Sequence, residues 1–184
     1  METLNTASSP QMPVWNTVLR YGGFCAAGMV VLSLLIYITN FNVMALSGLA
    51  VMYISMFGIC FATAAIGTKY QRDQLDGGYI TYGKAVLVGL LIVLVGMFVS
   101  SLWNYILVNF IDPNYVAGMK EQFVEAWGEK MPAESLEEAL KGFDKSGDLL
   151  TNIKNGIVGG LVIGLIVGLI TAAFLKKQPE TTKF

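Results

Sequence analysis

The sequence predicts an all-α integral membrane protein, a four-helix bundle with an amphipathic helical insertion between spans three and four. Three observations lead there. Only 14% of the 184 residues are charged, and mean hydropathy is +0.59, whereas about a quarter of an ordinary soluble domain is charged. The charges avoid residues 21–68, 85–111 and 155–175 altogether. A hydrocarbon core of about 30 Å takes roughly 20 helical residues at about 1.5 Å each. Split at the polar corner Asn40-Phe41-Asn42, those stretches supply four spans.

The elements follow in order. Residues 1–13 are polar, hold Pro10 and Pro13, and are expected to be disordered. Span one covers about 14–39, with Trp15 and Tyr21 at one interface and Tyr37 and Phe41 at the other, the depth that amphipathic aromatic rings favour. Its apolar run lacks a small-x-small cleavage site with a polar start behind it, so it is expected to be an uncleaved span rather than a signal peptide. The Asn corner turns the chain into span two, about 43–68. A loop over 69–84 contains Asp76-Gly77-Gly78, a turn signal because glycine reaches positive φ without strain. Span three covers about 82–111 and span four about 148–175, and residues 176–184 form a tail.

Between those spans, residues 112–147 are expected to fold. Asp112-Pro113 has the form of a carboxylate N-cap followed by proline at the first helical position. Val116, Met119, Phe123 and Trp127 recur at helical spacing and predict an amphipathic helix to about Lys130. Ser135 with Glu138 reads as a capping box for a second short helix. Leu136, Leu140 and Phe143 form that helix's apolar face, and Gly142 and Gly147 end it.

Charge sets the expected orientation. The side holding both termini and the 69–84 loop carries seven Lys and Arg against four carboxylates, a net of +3. The 112–154 side carries five lysines against nine carboxylates, a net of −4. Excess Lys and Arg beside span ends marks the cytoplasmic face, so N-in/C-in is expected, with 112–147 outside. Cys25 and Cys60 fall within apolar spans and read as small hydrophobes, not a disulfide.

The most specific motif is a stripe of glycines in span four, Gly156, Gly160, Gly164 and Gly168, with Gly159 beside it. Glycine costs a soluble helix about 0.8–1 kcal/mol relative to alanine, and lipid gives helices no hydrophobic reason to associate. Close backbone packing must then compensate, as in a glycine zipper. The partner is either another span of the same bundle or a second copy. Gly22 with Ala26, Gly23 with Ala27, Gly58 with Ala62 and Gly96 with Ser100 are the small pairs available for the former.

Chemistry-bearing constellations are few. Glu121, Glu125 and Glu129 fall at i, i+4 and i+8, the pattern of a solvated helix face. With Phe123 and Trp127 they form a candidate partner surface. Asp144-x-Ser146-x-Asp148 suggests a calcium loop, but Leu149 stands where such a loop needs glycine and no glutamate closes it. The sequence contains no histidine, the commonest general base and zinc ligand. Its spans hold no acid or base at the depth ion-coupled transporters use. No cofactor, metal, nucleic-acid partner or small-molecule substrate is indicated, and an enzyme is not expected.

One family resemblance rests on short motifs and the hydropathy plan. Residues 65–73, AIGTKYQRD, then 77–85, GGYITYGKA, and 110–115, FIDPNY, together with the hydropathy plan, resemble the domain-of-unknown-function 4199 family of small bacterial four-span membrane proteins. The resemblance covers about 17–175 and implies residence in the bacterial inner membrane, with no activity or catalytic residue to carry over. Within its motifs, Tyr70, Arg72, Asp73, Gly77, Gly78 and Tyr79 are a candidate contact of the cytoplasmic loop. The expectation is a non-enzymatic accessory, assembly or structural membrane component, acting by helix–helix association in the lipid bilayer as a homo-oligomer or with other membrane proteins. A small oligomeric channel or uncoupled transporter is the alternative.

Overall fold

The computed structural model describes residues 13–177, all-helical apart from one isolated bridge. The expectations for 1–12 and 178–184 lie outside the described residues. Four helices are long and apolar enough to cross a bilayer: α1 (Trp15–Ile38), α2 (Leu46–Tyr70), α3 (Tyr82–Ile106) and α6 (Leu149–Leu175). Two short helices, α4 (Tyr115–Trp127) and α5 (Ala133–Asp144), stand between α3 and α6.

The core is thin because each helix turns a face outward. Val18, Cys25 and Met29 of α1, Cys60 and Ala64 of α2, Val88, Ile92 and Val93 of α3, and Val167 of α6 form one buried cluster. α3 sits at the centre, touching α1, α2 and α6, and its contact with α6 is the most extensive. Ile38, Leu46, Ile54 and Phe174 are more than 70% exposed. So broad an apolar exterior is stable against lipid and costly against water.

Local chemistry explains the boundaries. Asn40 turns the α1–α2 corner at φ +47°, and asparagine tolerates that region better than most residues. The Asn42 side-chain oxygen accepts hydrogen bonds from the Met44 and Ala45 amides at 3.0 Å each. This local capping delays α2 to Leu46, later than the expected 43, although 43–45 are apolar. Asp148 caps α6, accepting from the Thr151 amide at 2.7 Å.

Several expectations are corrected. α2 does not stop before Lys69; it continues into a π-helical turn, Gln71–Leu75, closed by the Asp76 amide on the Gln71 carbonyl at 2.9 Å. Thus Tyr70, Arg72 and Asp73 are helical rather than loop residues. A matching π turn, Leu107–Ile111, ends α3. Asp112 is not the N-cap of α4: its carboxylate accepts from the Asn114 amide at 3.0 Å, and the helix begins after Asn114. α4 ends at Trp127, short of Lys130. Ser135 lies inside α5, whose N-cap is Pro132, so no capping box forms; proline's fixed φ starts the helix earlier. α5 runs through Gly142 to Asp144, and a single 3-10 turn, Lys145–Gly147, follows.

Candidate functional site

The bundle concentrates its unusual features in three places: the α3–α6 seam, the end where α1 starts and α6 stops, and the α4–α5 hairpin at the opposite end.

At the seam, Gly156, Gly160, Gly164 and Gly168 are buried and face α3. A Cβ on Gly164 would stand 2.8 Å from the Leu90 carbonyl oxygen, and one on Gly168 would stand 2.8 Å from that of Val86. A Cβ on Gly160 would lie 3.0 Å from the Leu94 Cα, and one on Gly156 would lie 3.2 Å from the Phe98 Cα. Gly159 is set to the side, where a Cβ would touch only the Met97 methyl at 3.4 Å. α3 therefore occupies the stripe from end to end. Its partners there are mainly leucine and valine backbone, not the small pairs read from the sequence. Gly22 instead meets Val95, Gly96 meets Cys25, and Gly23 and Gly58 have open space.

The end where α1 starts and α6 stops holds a buried polar knot. The Thr17 hydroxyl of α1 donates to Gln71 Oε1 at 2.5 Å, and Gln71 Nε2 donates to Asp76 Oδ1 at 3.2 Å. Lys84 Nζ, in the first turn of α3, donates to the same oxygen at 2.8 Å. The side chains of Lys84 and Asp76 are only 11% and 5% exposed. A pair this dry is costly to break, because the partner left behind is an uncompensated buried charge. The π turn makes the knot: its extra residue per turn aims Gln71 inward and still lets Asp76 reach Lys84. Oδ2 of Asp76 and the Thr68 hydroxyl are buried without a partner among the described residues.

Around this knot lie the motif residues. Gly77 (φ +65°) and Gly78 (φ +89°) make the turn that the sequence announced. Tyr70 packs on Tyr21 at 5.6 Å, with the Arg20 guanidinium 5.5 Å from its ring centre. Arg72 grips Asp73 at 2.6 Å and donates to the Leu175 carbonyl at 3.1 Å, satisfying an orphan acceptor at the end of α6. Ile80 and Lys177 exchange backbone hydrogen bonds of 2.9 and 3.1 Å, and Lys177 Nζ lies 5.7 Å from the Tyr79 ring centre. The loop thus stitches α6 to α2 and α3. Sequence reasoning missed Thr17 and Gln71 as partners, and read Asp76 and Lys84 only as turn and topogenic residues. No periodicity signals a network in which one hydrogen bond joins residues 54 positions apart.

At the other end, α4 and α5 form a hairpin in which no residue is buried. Phe123 packs on Phe143 at 5.4 Å, Lys120 pairs with Asp144, and Trp127 Nε1 donates to the Met44 carbonyl at 2.9 Å, tying the hairpin to the α1–α2 corner. Glu121, Glu125 and Glu129 are exposed, and Glu129 lies beyond the end of α4, so only the first two share a helix face. An open groove of about 450 Å³ runs between the helices, lined by Lys120, Glu121, Val124, Glu125 and Leu140. Among the described residues no group of three His, Cys, Asp or Glu could hold a metal.

No curated protein and no solved structure matches this chain. A family model described as a protein of unknown function matches residues 20–177, from α1 through the last described residue of the stitched end. With most of its length matched, this chain, with four helices long and apolar enough to cross a membrane, belongs to the DUF4199 family.

Proposed function

We propose that this chain is a non-enzymatic accessory component of the bacterial inner membrane. It lies N-in/C-in and associates with another membrane protein through the extracytoplasmic α4–α5 hairpin. The observation that carries the reading is a hairpin of amphipathic helices without one buried residue. Val124 and Leu140 line its open groove between the carboxylates Glu121 and Glu125. Anionic headgroups repel a segment with a net charge of −4, so its complement is a protein surface presenting an apolar side chain among lysines or arginines. The glycine stripe, filled by α3, contributes by holding the scaffold rigid. The orientation rests on the Lys and Arg excess at the stitched end.

A photo-reactive residue at position 124 or 140, activated in native membranes, tests this. The expected product is a discrete protein adduct that Glu121→Lys with Glu125→Lys abolishes. Adducts to lipid alone, or to a second copy of this chain, would refute it. Reporter fusions after Gly142 and in the 76–80 turn check the orientation.

One observation favours the alternative of an oligomeric channel. Ser100, Ser101, Asn104, Asn152 and Asn155 line a polar recess of about 310 Å³ between α3 and α6, toward the hairpin end. Solute flux into liposomes that rises with particle mass would select it.

A further inference from the structure

Beneath the N-terminal half of α4, where it crosses the α1–α2 corner, lies a cavity of about 130 Å³. That volume equals about four waters at roughly 30 Å³ each. Its wall is partly aromatic: Tyr37 and Tyr115 meet edge to face at 5.8 Å, with Phe41 beside them. The rest is rich in acceptors. Asp112 lines it, and among the described residues no lysine or arginine pairs with that carboxylate. Gln122 also lines it, and its buried Oε1 has no partner among the described residues. A buried amide oxygen left unsatisfied is costly and calls for a donor. The field of Asp112 reaches the rings: Tyr115 holds its phenol proton above the ordinary range, chiefly through burial and then through that carboxylate.

A carboxylate without a counter-ion, an acceptor without a donor and a partly aromatic wall together describe a cation with N–H groups. The N-terminus of α4 opposes a cation, but the C-terminal ends of α1 and α3, at Tyr37 and Asp112, favour one. We propose that this cavity binds a primary ammonium group, with Asp112 as counter-charge, Gln122 Oε1 as acceptor and the Tyr37 and Tyr115 rings as walls. The cavity stands at the hairpin end of the spans, so the ammonium can come from an ethanolamine lipid headgroup or from a free amine.

The test uses the purified full-length protein. Thermal unfolding in detergent is followed with ethanolamine hydrochloride, ethylene glycol as its uncharged counterpart, tetramethylammonium chloride and sodium chloride at equal ionic strength. Ethanolamine alone is expected to raise the midpoint, and Asp112→Asn, which keeps an acceptor for the Asn114 amide, to raise the half-saturating concentration at least tenfold. Should Asp112→Asn fail to fold, Gln122→Met carries the same expectation. Nanodiscs of phosphatidylethanolamine or phosphatidylcholine, each with the same share of phosphatidylglycerol, separate the sources. A lipid ligand stabilises the protein in the former and removes its response to free ethanolamine; a free amine acts alike in both. An equal response to ethylene glycol or to tetramethylammonium, which has no N–H to give, overturns the proposal. So does a folded Asp112→Asn or Gln122→Met variant that responds like the wild type.

Discussion

Replacing Gly164 with alanine adds one methyl group against the α3 backbone at the α3–α6 seam. The new Cβ would lie 2.8 Å from the Leu90 carbonyl oxygen, 3.3 Å from the Leu90 Cα and 3.4 Å from the Val93 Cβ. Two of those atoms are backbone inside a continuous helix, so no rotamer change relieves them and the helices must separate. Overpacking of this kind costs about 1–3 kcal/mol, and alanine returns up to about 1 kcal/mol of helix propensity. A net loss of about 1–2 kcal/mol is expected. For a chain of this size that lowers the unfolding midpoint by about 2–8 °C. Gly58→Ala is the control, because a Cβ there meets nothing within 4 Å, and it should leave stability unchanged or raise it. Both are read from helical circular dichroism, on heating for the midpoint and during titration of a mild detergent with a denaturing one for the free energy. If Gly164→Ala matches or exceeds the wild type, or if both variants shift alike, the account of the seam is wrong.

Other outcomes follow from the ends of the bundle. Lys84→Met leaves Asp76 charged and buried and should cost about 3–5 kcal/mol, most of it regained in the double variant with Asp76→Asn, by the same titration. Trp127→Phe removes one hydrogen bond, to the Met44 carbonyl, worth about 1 kcal/mol; faster amide exchange in α4 with none in α6 would show it. The Thr151 hydroxyl and amide hold the Asp148 carboxyl below the ordinary range. Its cap is therefore complete above that range, about pH 4, and fades as pH falls through the lowered value. The protection of the Thr151 amide, judged from its exchange rate relative to the intrinsic rate at each pH, should fall on acidification in the wild type and stay flat in Asp148→Asn.

Hydropathy made most of the fold legible, and its errors share one cause. Charge tells where hydrocarbon ends, not where a helix ends. Lys69, Arg72 and Asp73 leave the apolar run while the backbone continues helically to Leu75. Asn42 produced the opposite error, capping locally and holding three apolar residues out of α2. The glycine spacing showed that something lies close along α6, but not that leucine and valine backbone would fill it. For the partner surface, aromatic periodicity found Phe123 and Trp127, yet it could not show that both are turned back on their own chain. The Thr17–Gln71–Asp76–Lys84 knot left no trace in the order of residues, because its members meet only once three helix ends converge. The cavity under α4 was hidden for the same reason: Tyr37 and Asp112 become neighbours only through the fold.

Order of synthesis gives the seam a further consequence. Among the described helices, α6 leaves the ribosome after the other five, and it carries the most extensive contact in the bundle. Until it inserts, the flank of α3 running from Val86 through Leu90 and Leu94 to Phe98 faces acyl chains. The nascent protein must therefore pass through a three-helix stage with an open side, closed by a helix smooth enough to slide in lengthwise. Arg72 and Ile80 wait at its far end to fasten the late arrival.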